Sequence, residues 1–188
     1  MAQIVLASGS PRRQELLHRM GIDDFVIRVP DVEEHVPAGL SPEETVAAIS
    51  RQKADAVPSD GAEIVITADT MVFLEGNPLG KPKDEADALS MLTALQGRSH
   101  TVCTGITLRQ GTKTLTAAES TAVTFRPATE PELLAYIQTG EPMDKAGAYG
   151  IQGKGALLVE GIEGDFFNVM GLPIGLLSQM LNAFSEKD

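Results

Sequence analysis

Near its start the chain reads Ser8-Gly9-Ser10-Pro11-Arg12-Arg13, directly after the apolar run Ile4-Val5-Leu6. This order predicts a strand, a small-residue turn and a helix that opens at Ser10 and Pro11. Two arginines in a helix's first turn run against the macrodipole, which favours acids there. An anionic ligand removes the conflict. Free backbone N–H groups at the helix start, the hydroxyls of Ser8 and Ser10, and two guanidinium forks together form a phosphate grip. A capped helix with two solvated arginines is the competing reading, so other residues must decide.

Ile64-Val65-Ile66-Thr67-Ala68 predicts a strand with Asp69 at its C-terminal end, where open α/β sheets take their ligands. A carboxylate there can hold a divalent cation or act as general base on water; it can also merely cap a turn. Lys81, in the tight loop Gly80-Lys81-Pro82, is either a fixed ammonium for phosphate or an ordinary loop lysine. Lys53 shares a helical face with Val46, Ile49 and Val57 and so interrupts an apolar stripe, either snorkelling or reaching into a cleft. Glu33 lies with Asp31 and Glu34 in a loop that either completes a magnesium site or is simply solvated.

The run from Gly140 to Gly153 is dense in glycine and charge and reads as a binding wall. Within it Gln152, donor and acceptor together, can pair with a base edge that presents an N–H beside a carbonyl. Familiar phosphate motifs are missing. Gly76-Asn77-Pro78-Leu79-Gly80-Lys81-Pro82 is one residue short of a P-loop and ends in proline, and no GxGxxG follows a strand. His18, His35 and His100 show no metal-ligand spacing.

The elements that must position these residues are legible in outline. Helices are predicted from Ser10 to Gly21, from the capping box Ser41-Pro42-Glu43-Glu44 to about Val57, and from Asp84 to Gly97. A second box, Thr129-Glu130-Pro131-Glu132, opens a helix that stops at Gly140, and Pro173 starts the last one. Strands are expected at 3–7, 63–68, 71–74, 101–108, 116–125 and 156–159, with Gln110-Gly111-Thr112-Lys113 as a hairpin turn. Early strands alternate with helices and the middle ones run as a hairpin, so a mixed sheet is expected. The glycine-rich stretches 140–155 and 161–175 read as ordered loops.

Composition narrows the function. The 188 residues, 43% hydrophobic, suffice for one domain with a full core. A net charge of −11 with no tryptophan argues against nucleic-acid polymers and anionic membranes as partners. A polyanion would have to be small and drawn by a local cationic pocket. Cys103 is the single cysteine, which excludes an intrachain disulfide and fits a reducing cytoplasm. No signal peptide and no apolar run near the ~20 residues of a membrane span is found.

On these residues the chain resembles the Maf proteins, nucleoside triphosphate pyrophosphatases. The likeness runs nearly end to end: SGSPRRQELL at the start, ADT at 68–70, LGKP at 79–82, GEPMDKAGAYGIQGKG at 140–155 and NVMGLP at 168–173. It implies one α/β domain over 1–188, an elongated mixed β-sheet with flanking helices and a cleft between two lobes, as in inosine triphosphate pyrophosphatases. It further implies a homodimer, a divalent cation (Mg²⁺ or Mn²⁺), and a nucleoside triphosphate substrate cleaved to the monophosphate and pyrophosphate. By the same resemblance Asp69 is the proton acceptor, and Ser8, Arg13, Glu33, Lys53 and Lys81 form the polar pocket, with Glu33 and Asp69 on the metal. Arg12, Thr70 and Gln152 fall where the base is chosen. The ADT and YGIQG forms are similar to the branch acting on dTTP and UTP. The alternatives are the sister branch acting on 7-methyl-GTP and a non-catalytic nucleotide-binding regulator of septum formation.

Overall fold

The computed structural model describes residues 2–36 and 38–185. Its backbone is a seven-stranded mixed sheet built on three long strands, β3 (Ile64–Leu74), β5 (Ser99–Gln110) and β6 (Lys113–Phe125), paired antiparallel in that order. β1 (Ile4–Leu6) lies parallel to the first part of β3, and β2 (Phe25–Ile27) lies parallel outside β1. β4 (Asn77–Leu79) turns back onto the end of β3, and β7 (Val159–Glu163) flanks β6. The mixed sheet expected from the sequence is present.

Three differences from the sequence reading matter. β3 is one continuous strand where two were expected, because Asp69 and Thr70 stay extended and pair with Gly105 and Thr104 on β5. Asp69 is therefore not at the end of its strand. β2 and β4, each only three residues long, carry too short a pattern to be read. Residues 156–158, expected in a strand, belong to a 3₁₀ turn (Lys154–Leu158), and β7 starts only at Val159.

The position of Asp69 still makes sense. Pairing of β1 with β3 ends at Leu6 and Ile66, and β4 joins only from Val72. Between these points the edge of β3 has no strand beside it among the described residues. That gap is where ligand can reach both faces of one strand.

The period-two alternation of β3 divides the core. Val65, Thr67, Met71 and Phe73 face α2 (Pro42–Ala56), whose Val46 packs on Phe73 and Cys103 and whose Ser50 carbonyl accepts from Thr67 Oγ1 at 2.6 Å. Ile66, Ala68 and Val72 face the larger cluster, with Leu16 and Leu17 of α1 (Pro11–Arg19) and Leu92 and Leu95 of α3 (Glu85–Leu95). Leu133 and Ile137 of α4 (Glu130–Ile137) and Leu177, Met180 and Phe184 of α6 (Ile174–Ser185) complete it. Each such side chain contributes about 1.5–3 kcal/mol on burial.

Two local features seat α2 on the sheet. The Ser41–Glu44 capping box closes at both bonds, 2.8 and 3.2 Å, and so sets where α2 begins. Gly105 sits directly opposite Asp69, and a Cβ there would run into the carbonyl of Val46. Only glycine lets the α2 backbone lie against the sheet at that level, which brings Lys53 within reach of Asp69. The stretch 161–175, expected as loop, holds β7 and a short helix α5 (Phe166–Met170) capped by Asp165.

Candidate active site

A cleft of about 1050 Å³ opens at the uncovered edge of β3. The turn after β1, the start of α1, the Gly80–Lys81 loop and the segment 141–153 surround it. At its floor Lys53 Nζ donates to Asp69 Oδ1 at 2.6 Å and lies 2.8 Å from Glu34 Oε1. Both partners are largely sheltered, the side chains of Lys53 and Asp69 being 17% and 11% exposed. Asp69 Oδ2 is buried and has no hydrogen-bond partner among the described residues. An unpartnered oxygen on a sheltered carboxylate is costly unless a ligand, cation or water completes it. Of the two readings of Lys53, the one reaching into a cleft is what the structure shows.

The structure does not bring Glu33 to this cluster. Its side chain is exposed and outside the cleft, and Glu34 stands beside Lys53 instead. The cause is the anchoring of the loop: Gln52 of α2 accepts from the His35 N–H at 3.0 Å and donates to the His35 carbonyl at 2.6 Å. With His35 fixed, the preceding residue faces Lys53 and the one before it turns away.

Arg13, in the first turn of α1, crosses to the far side of β3. Its Nε donates to the Gly171 carbonyl at 2.8 Å, Nη1 to Ser8 Oγ at 3.1 Å and Nη2 to Thr70 Oγ1 at 3.1 Å. All three acceptors are neutral, and no carboxylate pairs with Arg13 among the described residues. Burial lowers its pKa to about 10, opposed by the charge of Asp69 and reinforced by Arg12. Even so it stays a cation at neutral pH. Thr70 is locked in turn by Thr104 Oγ1 at 2.9 Å, which donates to the Asn168 carbonyl at 3.0 Å. Thr70 thus orients Arg13 from within the lining of the cleft.

Ser10 is the N-cap of α1, yet its side chain makes no capping bond and the first turn holds no acid. Its N–H donates to Ser8 Oγ at 3.3 Å. Lys81 is exposed at the mouth and has no ion-pair partner among the described residues. A chain of net charge −11 therefore gathers Arg12, Arg13, Lys53, Lys81 and Lys145 around one cavity.

The wall opposite is organised by Glu141, which sequence reasoning did not single out. Its carboxylate accepts from the Lys154 and Gly155 N–H groups at 2.9 and 3.0 Å and from the Tyr136 hydroxyl at 2.8 Å. Burial acts to raise its pKa, but these bonds outweigh it and leave the group below the usual carboxylate value. A Cβ at Gly153 would collide with that carboxylate, so a larger residue there would push the Glu141 side chain from its place. Lys145 Nζ donates to the Glu141 carbonyl at 2.8 Å and to Asp144 Oδ1 at 2.7 Å, with Arg12 Nη1 4.0 Å from Asp144 Oδ2. Gln152 Nε2 donates to Glu15 Oε2 of α1 at 2.7 Å. Beneath the wall Tyr149 OH lies 2.7 Å from His100 Nε2, both rings edge-on to Phe125.

A row of cations with one incompletely partnered carboxylate can hold a polyphosphate and take a proton from a water attacking it. The fold is that of the Ham1 proteins. The structure aligns with the Staphylococcus aureus Ham1 protein at a TM-score of 0.53 and 17% identity, covering 97% of this chain and 100% of that one. A HAM1 protein from Coxiella burnetii aligns at 0.50 and 16%, with the same coverage.

The chain belongs to the Maf family: the Maf-like protein family model matches residues 3–184. It is 51% identical over 186 residues to a dTTP/UTP pyrophosphatase of Symbiobacterium thermophilum, covering 98% of this chain and 95% of that one. Relatives of the same description from Bacillus cereus and Bacillus velezensis are 48% and 47% identical over 98% of this chain, with 97% and 98% of their own lengths covered.

Proposed function

We propose that this protein hydrolyses dTTP and UTP to the nucleoside monophosphate and pyrophosphate. The observation that carries the chemistry is Asp69, whose Oδ1 is held by Lys53 while Oδ2 is left without a partner on the floor of a cationic cleft. The choice of nucleotide leans on the description of the Maf relatives that match over nearly the whole chain.

In this reading the triphosphate lies against Ser8, the Ser10 end of α1, Arg13, Lys53 and Lys81. Asp69 takes a proton from water as its oxygen attacks the α-phosphorus. The bond from that phosphorus to the bridging oxygen breaks, and pyrophosphate leaves with its charge balanced by the lysines and arginine. Arg13 is fixed by three bonds before substrate arrives, so no reorganisation is needed when charge develops. The wall residues, Gln152 with Arg12 beside it, would meet the base.

The residues fit a divalent cation that arrives with the triphosphate. Among the described residues no group of three or more His, Cys, Asp or Glu could cage a metal. Asp69 and Glu34, both on Lys53, would hold it together with phosphate oxygens, since Mg²⁺ usually takes only one or two carboxylates beside phosphates and waters. A carboxylate oxygen has lone pairs for a cation and for a water hydrogen. When bound, the ion would supply neutralisation of the phosphate charge.

The purified chain, supplied with Mg²⁺ or Mn²⁺ and offered dTTP, UTP, CTP, GTP and 7-methyl-GTP, tests the reading by pyrophosphate release. Turnover should be highest with dTTP and UTP. Preference for 7-methyl-GTP would move the protein to the sister branch, and binding without release would make it a regulator. A homodimer and a cytoplasmic setting belong to the same proposal, and sedimentation velocity decides the first. Among the described residues no helix is long and apolar enough to cross a membrane.

A further inference from the structure

We infer that Glu15 fixes which way the Gln152 amide points, and that this polarity makes the wall favour uracil and thymine over cytosine. The inference rests on the reading above that Gln152 meets the base. Glu15 lies on α1, 137 positions from Gln152 in the chain, and its Oε2 accepts from Gln152 Nε2 at 2.7 Å. Its other oxygen, Oε1, is occupied by Arg19, at 2.6 Å from Nη2 and 3.2 Å from Nε. The bond from Gln152 and those from Arg19 lower the pKa of Glu15, so it is a carboxylate at neutral pH.

A carboxylate only accepts, so the amide must give it the nitrogen. The assignment of O and N in this side chain is thereby chemical and not arbitrary. Oε1 of Gln152, which has no partner among the described residues, is left as an acceptor, with the second N–H beside it. Uracil and thymine present N3–H flanked by carbonyls, which this arrangement matches on both atoms. Cytosine presents a bare N3 and an amino group, which needs the amide reversed. Reversal would set Oε1 against the carboxylate of Glu15, acceptor against acceptor. Rejection by an unpaired or opposed polar group is the stronger form of discrimination.

Glu15→Gln and Glu15→Ala test this through the ratio of kcat/KM for UTP to that for CTP, with circular dichroism confirming the fold. A glutamine at 15 keeps a hydrogen bond to Gln152 but can donate as well as accept, so it tethers without imposing polarity. Both variants should therefore lower the ratio, by roughly tenfold. If the role were only to hold the wall, Glu15→Gln would keep the wild-type ratio, and that result overturns the inference. So does an unchanged ratio in both variants. A wild-type enzyme that releases pyrophosphate from CTP as readily as from UTP, or from no nucleotide, overturns instead the reading on which this rests, and this inference falls with it.

Discussion

The floor of the cleft and its 141–153 wall meet the same cavity but are held by opposite means. The floor is strand and helix: Asp69 is mid-strand, Lys53 comes from a helix pressed onto the sheet at Gly105, and Arg13 is tied to three separate segments. Lys53 and Asp69 are sheltered there and paired with each other, whereas Arg13 is met only by neutral acceptors. The wall is a series of short 3₁₀ turns wound about Glu141, and its outward groups, Gln152 and Asp144, are exposed, each paired with a half-buried partner, Glu15 and Arg12. A sheltered charge acts strongly and tolerates no displacement, whereas an exposed hydrogen bond is weak in energy but directional. Floor residues should therefore govern rate, and wall residues affinity and choice of base.

The largest effect separating the two is expected from Asp69→Asn. It removes the proton acceptor with almost no change of shape, so kcat should fall about 10²–10⁴-fold while KM and melting temperature hold. Retention of a tenth of the turnover would break the assignment of the floor. Lys53→Met keeps the hydrocarbon stem but leaves Asp69 Oδ1 and Glu34 without their ammonium. Loss of about 10²-fold in kcat is expected, again with the dTTP to CTP preference kept.

Glu141→Gln replaces an acceptor-only group with one that faces the Lys154 and Gly155 N–H groups partly with donors of its own. The expected outcome in steady-state kinetics is a KM raised roughly tenfold with kcat within about twofold, since the interaction is made in ground and transition states alike. A fall in kcat like that of Asp69→Asn would erase the distinction between floor and wall.

The smallest effect is a pH dependence. Burial lowers the pKa of His100 from 6.5 to about 4. Between these values the unfolded chain binds a proton that the folded chain does not, so stability is full above pH 6.5 and declines as pH falls towards 4. A drop of several degrees in melting temperature across that window is expected. His100→Gln should flatten it, and because His100 supports Tyr149, the change should register in KM before kcat.

How much of this was legible follows from where the signal is local. The capping boxes at Ser41 and Thr129 marked the starts of α2 and α4, and Gly140 the stop beyond α4, because caps are short-range chemistry. β5 and β6 were legible as a hairpin, although both are longer than expected. Lys53 betrayed itself by breaking an apolar stripe. Glu34 was not distinguishable from Glu33, since only the anchoring of His35 by Gln52 decides which acid turns inward. Glu141 gave no signal of its own: two of its three partners are backbone N–H groups more than ten residues away, and a backbone N–H carries no residue type.

By itself the sequence determined a mixed α/β chain, the order of its longer elements, and a set of cations and one acid suited to a phosphate ligand. It did so because periodicity, caps and ordered motifs are written in neighbouring residues. Tertiary structure alone decided that Asp69 lies mid-strand where β3 is uncovered between β1 and β4, that Gly105 lets α2 settle there, and that Glu15 meets Gln152. Those facts depend on which segments approach one another, and close approach is set by packing across the sheet rather than by any run of adjacent residues.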